Sequence, residues 1–383
     1  MNDSAAGEQA NQALIDAVDR VALLHGERSL RESAEAGQWP QALWQDLQAL
    51  GIARASLAEE DGGADLSLAE LLPILGRLAF HALAVPMVET AVALALSRRA
   101  DFLPAGWLYD QPLTLGLMDS QGRLQGLAYG PHCKAALVAL GSGHEASLAW
   151  LDLPSDSAGL ERGGLSPAAQ DAAGGAPLAQ VAIAMVHRRN LAGEACCDLQ
   201  CSRAYLDSLP KRSLPHADRW LMQAGALMRS VQMSHAMSKA LELSLQFAND
   251  RVQFGKPIGK FQAVQHMLAV MASEVAAASA IVARASQVFS ASRWPDPVDA
   301  DACQWWVGAA KARCGEASAK VFEIAHQVHA AMGYTREHLL HFSSRRLLAW
   351  RDSFGAEYEW QKRLGHQAMA LGPDKLWPRL AEH

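Results

Sequence analysis

Apolar residues recur along this chain in two rhythms. From Asn11 to about Leu96 they fall at steps of three and four: Leu14, Val18, Val21 and Ala22, then Leu43, Leu47 and Leu50 up to the breaker Gly51. That spacing predicts helices with one apolar stripe each. The segment EEDGGADLSLAELLPILGRLAF supplies a Gly-Gly turn, Ser67 as a cap and a further helix. Between about Leu113 and Leu209 the rhythm shortens to LTLGLM, AALVALG, ASLAWLDL and QVAIAMVH, separated by Gly, Pro, Ser and Asp. These stretches predict strands of a small sheet domain. The run SDSAGLERGGLSPAAQDAAGGAPLAQ within it predicts a surface loop.

After Pro210 the helical rhythm returns. His216 to about Asn249 sets Leu221, Ala224, Met228, Val231 and His235 on one stripe, and after the break FGKPIGKF a second helix sets Val264, Met267, Leu268, Met271 and Val275. A third helix runs from about Asp299 to Ala331, followed by shorter ones near Glu337 to Leu348 and Ala356 to Leu371. Long helices with short connections predict an antiparallel bundle. The fold class is therefore mostly α with a small β domain: a helical N-terminal domain over 1–112, a barrel-like middle β domain over 113–209 and a C-terminal four-helix bundle over 210–383.

Composition narrows the classes. Half of the 383 residues are apolar and only 19% are charged, a surplus that predicts burial beyond one subunit. A formal charge of −6 without runs of one sign points away from nucleic acid and from anionic membrane surfaces. The polar start MNDSAAGEQANQ and the lack of a charge-free stretch long enough to span a bilayer predict a soluble, cytoplasmic chain. Six cysteines are too few for a disulfide framework, and the cluster Cys196, Cys197 and Cys201 lacks the paired spacing of a zinc site, so no metal is expected.

The chemistry concentrates in RVQFGKPIGKFQAVQH, Arg251 to His266. A helix ends, turns at Gly-Pro and restarts, presenting Arg251, Lys256 and Lys260 beside Phe254 and Phe261. Arg binds a phosphate through two parallel hydrogen bonds, and aromatic rings cover a planar base. The letters resemble the RxxFGxPIxxFQ signature of the acyl-CoA dehydrogenase family. Gln327 to Thr335, within AHQVHAAMGYTREHLLHF, resembles that family's QxxGGxGxT segment, and SLAEEDGG resembles its VPEExGG turn.

This resemblance implies binding of FAD at a subunit boundary, removal of an α proton and a β hydride from an acyl-CoA thioester, and transfer of electrons to an electron-transfer flavoprotein. Carried over by position, the contacts to the pyrophosphate and adenine are Arg251, Gln253, Phe254, Ile258, Phe261, Gln327 and Ala331. Ala330 and Ala331 stand where the family has two glycines.

Other family features are missing. Neither TEPxxGSD nor the Trp strand that holds the flavin ring is present in the middle domain. The family's catalytic carboxylate, placed twenty-three residues after the second glycine, falls here on Phe354, and the alternative position on the first bundle helix falls near Gly225. The nearest carboxylates are Asp352, taken as the candidate base, and Glu357; Glu357 and Glu359 also suit the first turn of a helix. The chain thus reads as a subunit of a homo- or heterotetramer. In the second case it resembles the paired acyl-CoA dehydrogenases of bacterial steroid side-chain degradation, where a partner carries the flavin ring and the base. The alternatives are a non-catalytic structural subunit and a flavin oxidase or monooxygenase on the same scaffold.

Overall fold

A computed structural model describes residues 2–154, 182–294 and 296–381, so the predicted loop 155–180 lies outside the described residues. In chain order the elements are α1 (Asn2–Leu24), α2 (Arg28–Glu35), α3 (Gln41–Ala49), α4 (Leu68–Phe80) and α5 (Met87–Arg99). There follow β1 (Leu113–Leu117), β2 (Arg123–Ala128), β3 (Ala135–Leu140), β4 (Ser147–Asp152), β5 (Ile183–Arg189), β6 (Ala195–Cys201), α6 (Arg203–Ser208) and β7 (Lys211–Ser213). The last part comprises α7 (Ala217–Asp250), β8 (Val252–Gln253), β9 (Lys256–Pro257), α8 (Gln262–Ala291), α9 (Pro297–His329), α10 (Leu340–Arg351), α11 (Glu357–Leu371) and α12 (Pro373–Ala381).

The chain forms two compact units that do not follow sequence order. One gathers 1–31, 66–83 and 223–383; the other gathers 32–65 and 84–222. In the first, Ser67 caps α4 as predicted: its hydroxyl accepts the Glu70 N–H while the Glu70 carboxylate accepts the Ser67 N–H at 2.9 Å. Arg77 clamps α4 to α1 through a bidentate pair with Asp19 (2.8 and 2.9 Å), joined by His81 at 2.9 Å. α8 lies along α9, burying Leu268, Met271, Val275, Ala278, Val282 and Ala285 at helical spacing. By length and composition α8 is apolar enough to cross a membrane, but Glu274 interrupts it and pairs with Arg313 of α9. Of the methionines on the predicted stripes, Met228 and Met271 are buried and Met267 half-buried; Met233 and Met237 also fill the core.

The second unit holds two open sheets. One has the order β1-β3-β4-β7, with β1 and β3 parallel and the other pairs antiparallel; the other is the antiparallel sheet β2-β6-β5. Among the described residues no sheet closes on itself, so the barrel expectation is corrected to a pair of small open sheets. Four of the strands coincide with the apolar runs. β2, β6 and β7 do not: RLQGLA and KRS are too polar to stand out, and ACCDLQC draws notice only for its thiols. Cys197 and Cys201 point into the core with Cys133, Leu124, Leu127 and Leu199. Burial pushes the Cys197 thiol up to about 12 and the Cys201 thiol to about 11, which makes them small apolar residues rather than nucleophiles.

Candidate functional site

The first motif is a tight hairpin. α7 stops at Asp250, β8 and β9 pair Gln253 with Lys256, and the two residues between them, Phe254 and Gly255, have φ of +52° and +80°. Two successive positive φ angles define the turn type that matches strand twist, and Gly255 suits it. Phe254 does not: a left-handed conformation costs an L residue about 1–2 kcal/mol. The ring nevertheless stands 91% exposed. It meets Phe261 edge-on at 6.0 Å, and the Lys256 ammonium lies 4.5 Å over the Phe261 ring. The Ile258 N–H donates to the Arg251 carbonyl at 2.8 Å and closes the hairpin. Arg251 and Gln253 are exposed, Ile258 and Phe261 half-buried, and the Arg251 guanidinium has no hydrogen bond or ion pair among the described residues.

The second motif leaves the end of α9. Gln327 and Ala331 are exposed, and Ala330 closes the helix with φ +49° and ψ −134°, its N–H donating to the Gln327 carbonyl. Side chains behind these two segments bring them to one end of the unit. The Phe247 ring, one turn before Arg251, lies 4.5 Å from that of His329, and His338 lies 4.4 Å from His329. His326 sits between Phe322 at 4.2 Å and Tyr334 at 4.7 Å, with neither ring nitrogen hydrogen-bonded. Burial lowers the pKa of His326 and His329. It also pulls His338 down to about 4, with the neighbouring His329 and His341 acting in the same direction. The surface in front of this layer offers a guanidinium without a partner among the described residues, an exposed aromatic face and an amide. Together these suit an anionic group attached to a planar ring system.

The residues considered for proton abstraction lie elsewhere in the same unit, on the turn after α10. Asp352 is its exposed C-cap residue. Glu357 is gripped by both arms of Arg351, one at 2.9 Å, and that bond holds its carboxyl below the usual range against the opposing effect of burial. Phe354, at φ +56°, lays its ring against α7 so closely that a Cβ on Gly225 would come within 2.2 Å of it. The turn is fastened from beneath. The fully buried Lys311 donates to the carbonyls of Arg351 (2.5 Å) and Gly355 (2.7 Å), and the Trp360 indole donates to the carbonyl of Phe354 (2.9 Å). Burial lowers Lys311 to about 8.

The sequence pattern marks neither Lys311 nor the imidazoles as candidate site residues. The available signals were a lone Lys inside WWVGAAKARCGEAS and the spacing of four histidines in HQVHAAMGYTREHLLH.

Comparison with known proteins bears on this arrangement. Residues 217–356 match the family model described as Acyl-CoA dehydrogenase, C-terminal domain. The chain is 32% identical over 147 residues to Acyl-CoA dehydrogenase IpdE2 of Mycolicibacterium smegmatis, a match covering 38% of this chain and 43% of that protein. The chain thus spans less than half the length of that curated relative. Among solved structures it is similar to a chain of the ChsE4-ChsE5 complex from Mycobacterium tuberculosis, with TM-score 0.75, 20% identity, and coverage of 95% of this chain and 98% of that one. Butyryl-CoA dehydrogenase from Megasphaera elsdenii gives TM-score 0.71 at 15% identity, over 93% of this chain and 97% of that one. The fold is that of the acyl-CoA dehydrogenases.

Proposed function

We propose, from the match of residues 217–356 to the acyl-CoA dehydrogenase C-terminal domain, that the protein is one subunit of a flavin-dependent acyl-CoA dehydrogenase. It is soluble and cytoplasmic, keeps the three-part order 1–112, 113–209 and 210–383, and works in a heterotetramer with a second, related subunit. The substrate is an acyl-CoA thioester and the electron acceptor an electron-transfer flavoprotein. FAD, when bound, supplies the hydride acceptor for α,β-dehydrogenation. Arg251 and the turn at Ala331 hold its pyrophosphate, Gln327 clamps its polar edge, and Gln253, Phe254, Ile258 and Phe261 cover its adenine.

The observation that carries this reading is the outward Phe254. A 91% exposed ring on a strained turn forgoes burial worth about 1.5–3 kcal/mol and stands beside an Arg without a partner among the described residues. Both groups fit a nucleotide that arrives with another subunit.

The contact of Phe354 with Gly225 favours the heterotetramer. At the two positions where the resemblance places a carboxylate, this chain has a ring packed on a glycine. A proton-abstracting carboxylate needs its pKa raised by burial, and Asp352 is exposed. The base therefore belongs to the partner, which also holds the flavin ring.

Expression alone and with the product of a neighbouring gene tests the proposal. The expected result is a colourless protein alone and a yellow, active complex whose turnover survives Asp352→Asn in this chain. A yellow, active homotetramer would overturn the heterotetramer, and loss of turnover in Asp352→Asn would return the base to this chain.

A further inference from the structure

The exposed surface has no link of its own between its halves: no hydrogen bond or ion pair among the described residues joins the side chain of Arg251 to that of Gln327. What couples the end of α7 to the end of α9 is a stack of rings one layer deeper. Phe247 of α7 meets His329 of α9 at 4.5 Å and 32°, and His338 closes the group at 4.4 Å from His329 and 5.8 Å edge-on from Phe247. His329 is 1% exposed, and its Nδ1 lies 2.7 Å from the Ala325 carbonyl, so Nδ1 carries the proton. His338 accepts the Leu340 N–H through its own Nδ1 at 3.2 Å, which leaves that nitrogen unprotonated. His338 is therefore neutral, burial favours the neutral ring of His329 as well, and the stack behaves as an aromatic joint.

We propose that His329 is a positioning residue. Its neutral ring, packed on Phe247, sets the Arg251 hairpin and the 327–334 turn in the register needed to grip one nucleotide, and charging the stack releases that register. The cofactor part of this statement rests on the flavin reading above.

The groups facing His329 leave little to neutralise a new charge. From its own helix come His326 and the Ala325 carbonyl, from α7 Phe247 and the Leu243 carbonyl, and from the segment leading into α10 His338, with His341 behind it. None of these side chains is a carboxylate. Because burial holds the imidazoles below the ordinary value of about 6.5, the unfolded segment takes up protons first as pH falls. The stabilisation by the neutral stack is thus complete above about 6.5 and is lost toward the folded value of about 4 for His338.

Hydrogen–deuterium exchange of the full chain without flavin, corrected for the intrinsic pH dependence of amide exchange, tests the joint. Amides of the 252–258 hairpin and of the 330–334 turn are expected to lose protection together between about pH 6 and pH 4.5. In His329→Phe, which keeps a ring and cannot titrate there, they are expected to stay protected about tenfold better at the acid end. In His329→Ala both segments are expected to open at pH 7. An acid response in His329→Phe equal to the wild type, or unchanged protection in His329→Ala, overturns the proposal.

FAD titration of the same variants in the assembled complex supplies the separate arm. His329→Ala is expected to weaken binding about tenfold, about 1.4 kcal/mol, and His329→Phe to leave it unchanged at pH 7. Equal FAD affinity in wild type and His329→Ala overturns the positioning role. Absence of FAD binding in every form, with the exchange results as expected, overturns the flavin reading while the joint stands.

Discussion

Replacing Ala330 by Gly should stabilise this protein, against the usual direction for a substitution that places Gly in an ordered segment. Ala330 sits at φ +49° and ψ −134°, a combination that its Cβ makes unfavourable. Residues held in such sparsely populated regions cost of order 1–3 kcal/mol. Ala330→Gly removes the Cβ clash but adds unfolded-chain entropy worth about 0.4–1 kcal/mol in the opposite direction. The balance is a gain of about 1 kcal/mol, roughly a fivefold rise in the folded-to-unfolded ratio.

The neighbouring position provides a control. Ala331 is not among the residues with positive φ. Ala331→Gly therefore gains nothing on the folded side and should lose about 0.5–1 kcal/mol. Urea or guanidinium unfolding of the wild type and the two variants, followed by circular dichroism, reads both effects as opposite shifts in midpoint at constant slope. Ala330 sits in the proposed cofactor turn, so the comparison is made without flavin and reports backbone strain alone. Shifts of the same sign for the two variants would refute the assignment of strain to Ala330.

Two further outcomes follow from the same geometry. Gly225→Ala places a Cβ against the body of the Phe354 ring, whose turn Lys311 and Trp360 hold in place. Overpacking of this kind costs about 1–3 kcal/mol, and the double variant Gly225→Ala with Phe354→Ala should lose less through this contact than the two single variants added together, as a double-mutant cycle in denaturant would read. In the assembled complex, Arg251→Ala should shed FAD at lower salt than the wild type, whereas Lys260→Ala should not, because a single exposed Lys contact is worth little; equal retention in both variants would remove Arg251 from the phosphate site.

Much of the helical framework was legible because its signals are local. Stripes at three and four residues, the Ser67 cap with Glu70 three residues on, and the breaker Gly51 each need only a short window. The sheets were legible where apolar residues run together, as in the AALVAL of β3, buried on both faces, and the IAMV that opens the more exposed β5. β2 shows polar residues to solvent, and β7 pairs with β4 over only three residues, too short a run to leave a pattern. The exposed half of the candidate site was legible for a different reason: Arg251, Phe254 and Gln327 lie in compact motifs whose letters resemble a known signature. What lies beneath was not. Lys311 acquires its role from two carbonyls forty and forty-four positions away, and His329 from a ring on another helix. Such partners are brought together by tertiary packing, and no periodicity announces them.

The Phe354 and Gly225 contact also constrains how this chain can change over generations. With the turn fastened by Lys311 and Trp360, a side chain at 225 is admitted only after the residue at 354 has become smaller, and a smaller residue at 354 opens a void until 225 grows. The two positions are bound into one mutational unit. A lineage that changes either position alone passes through an intermediate carrying a clash or a void, so the pair is hard to alter one substitution at a time.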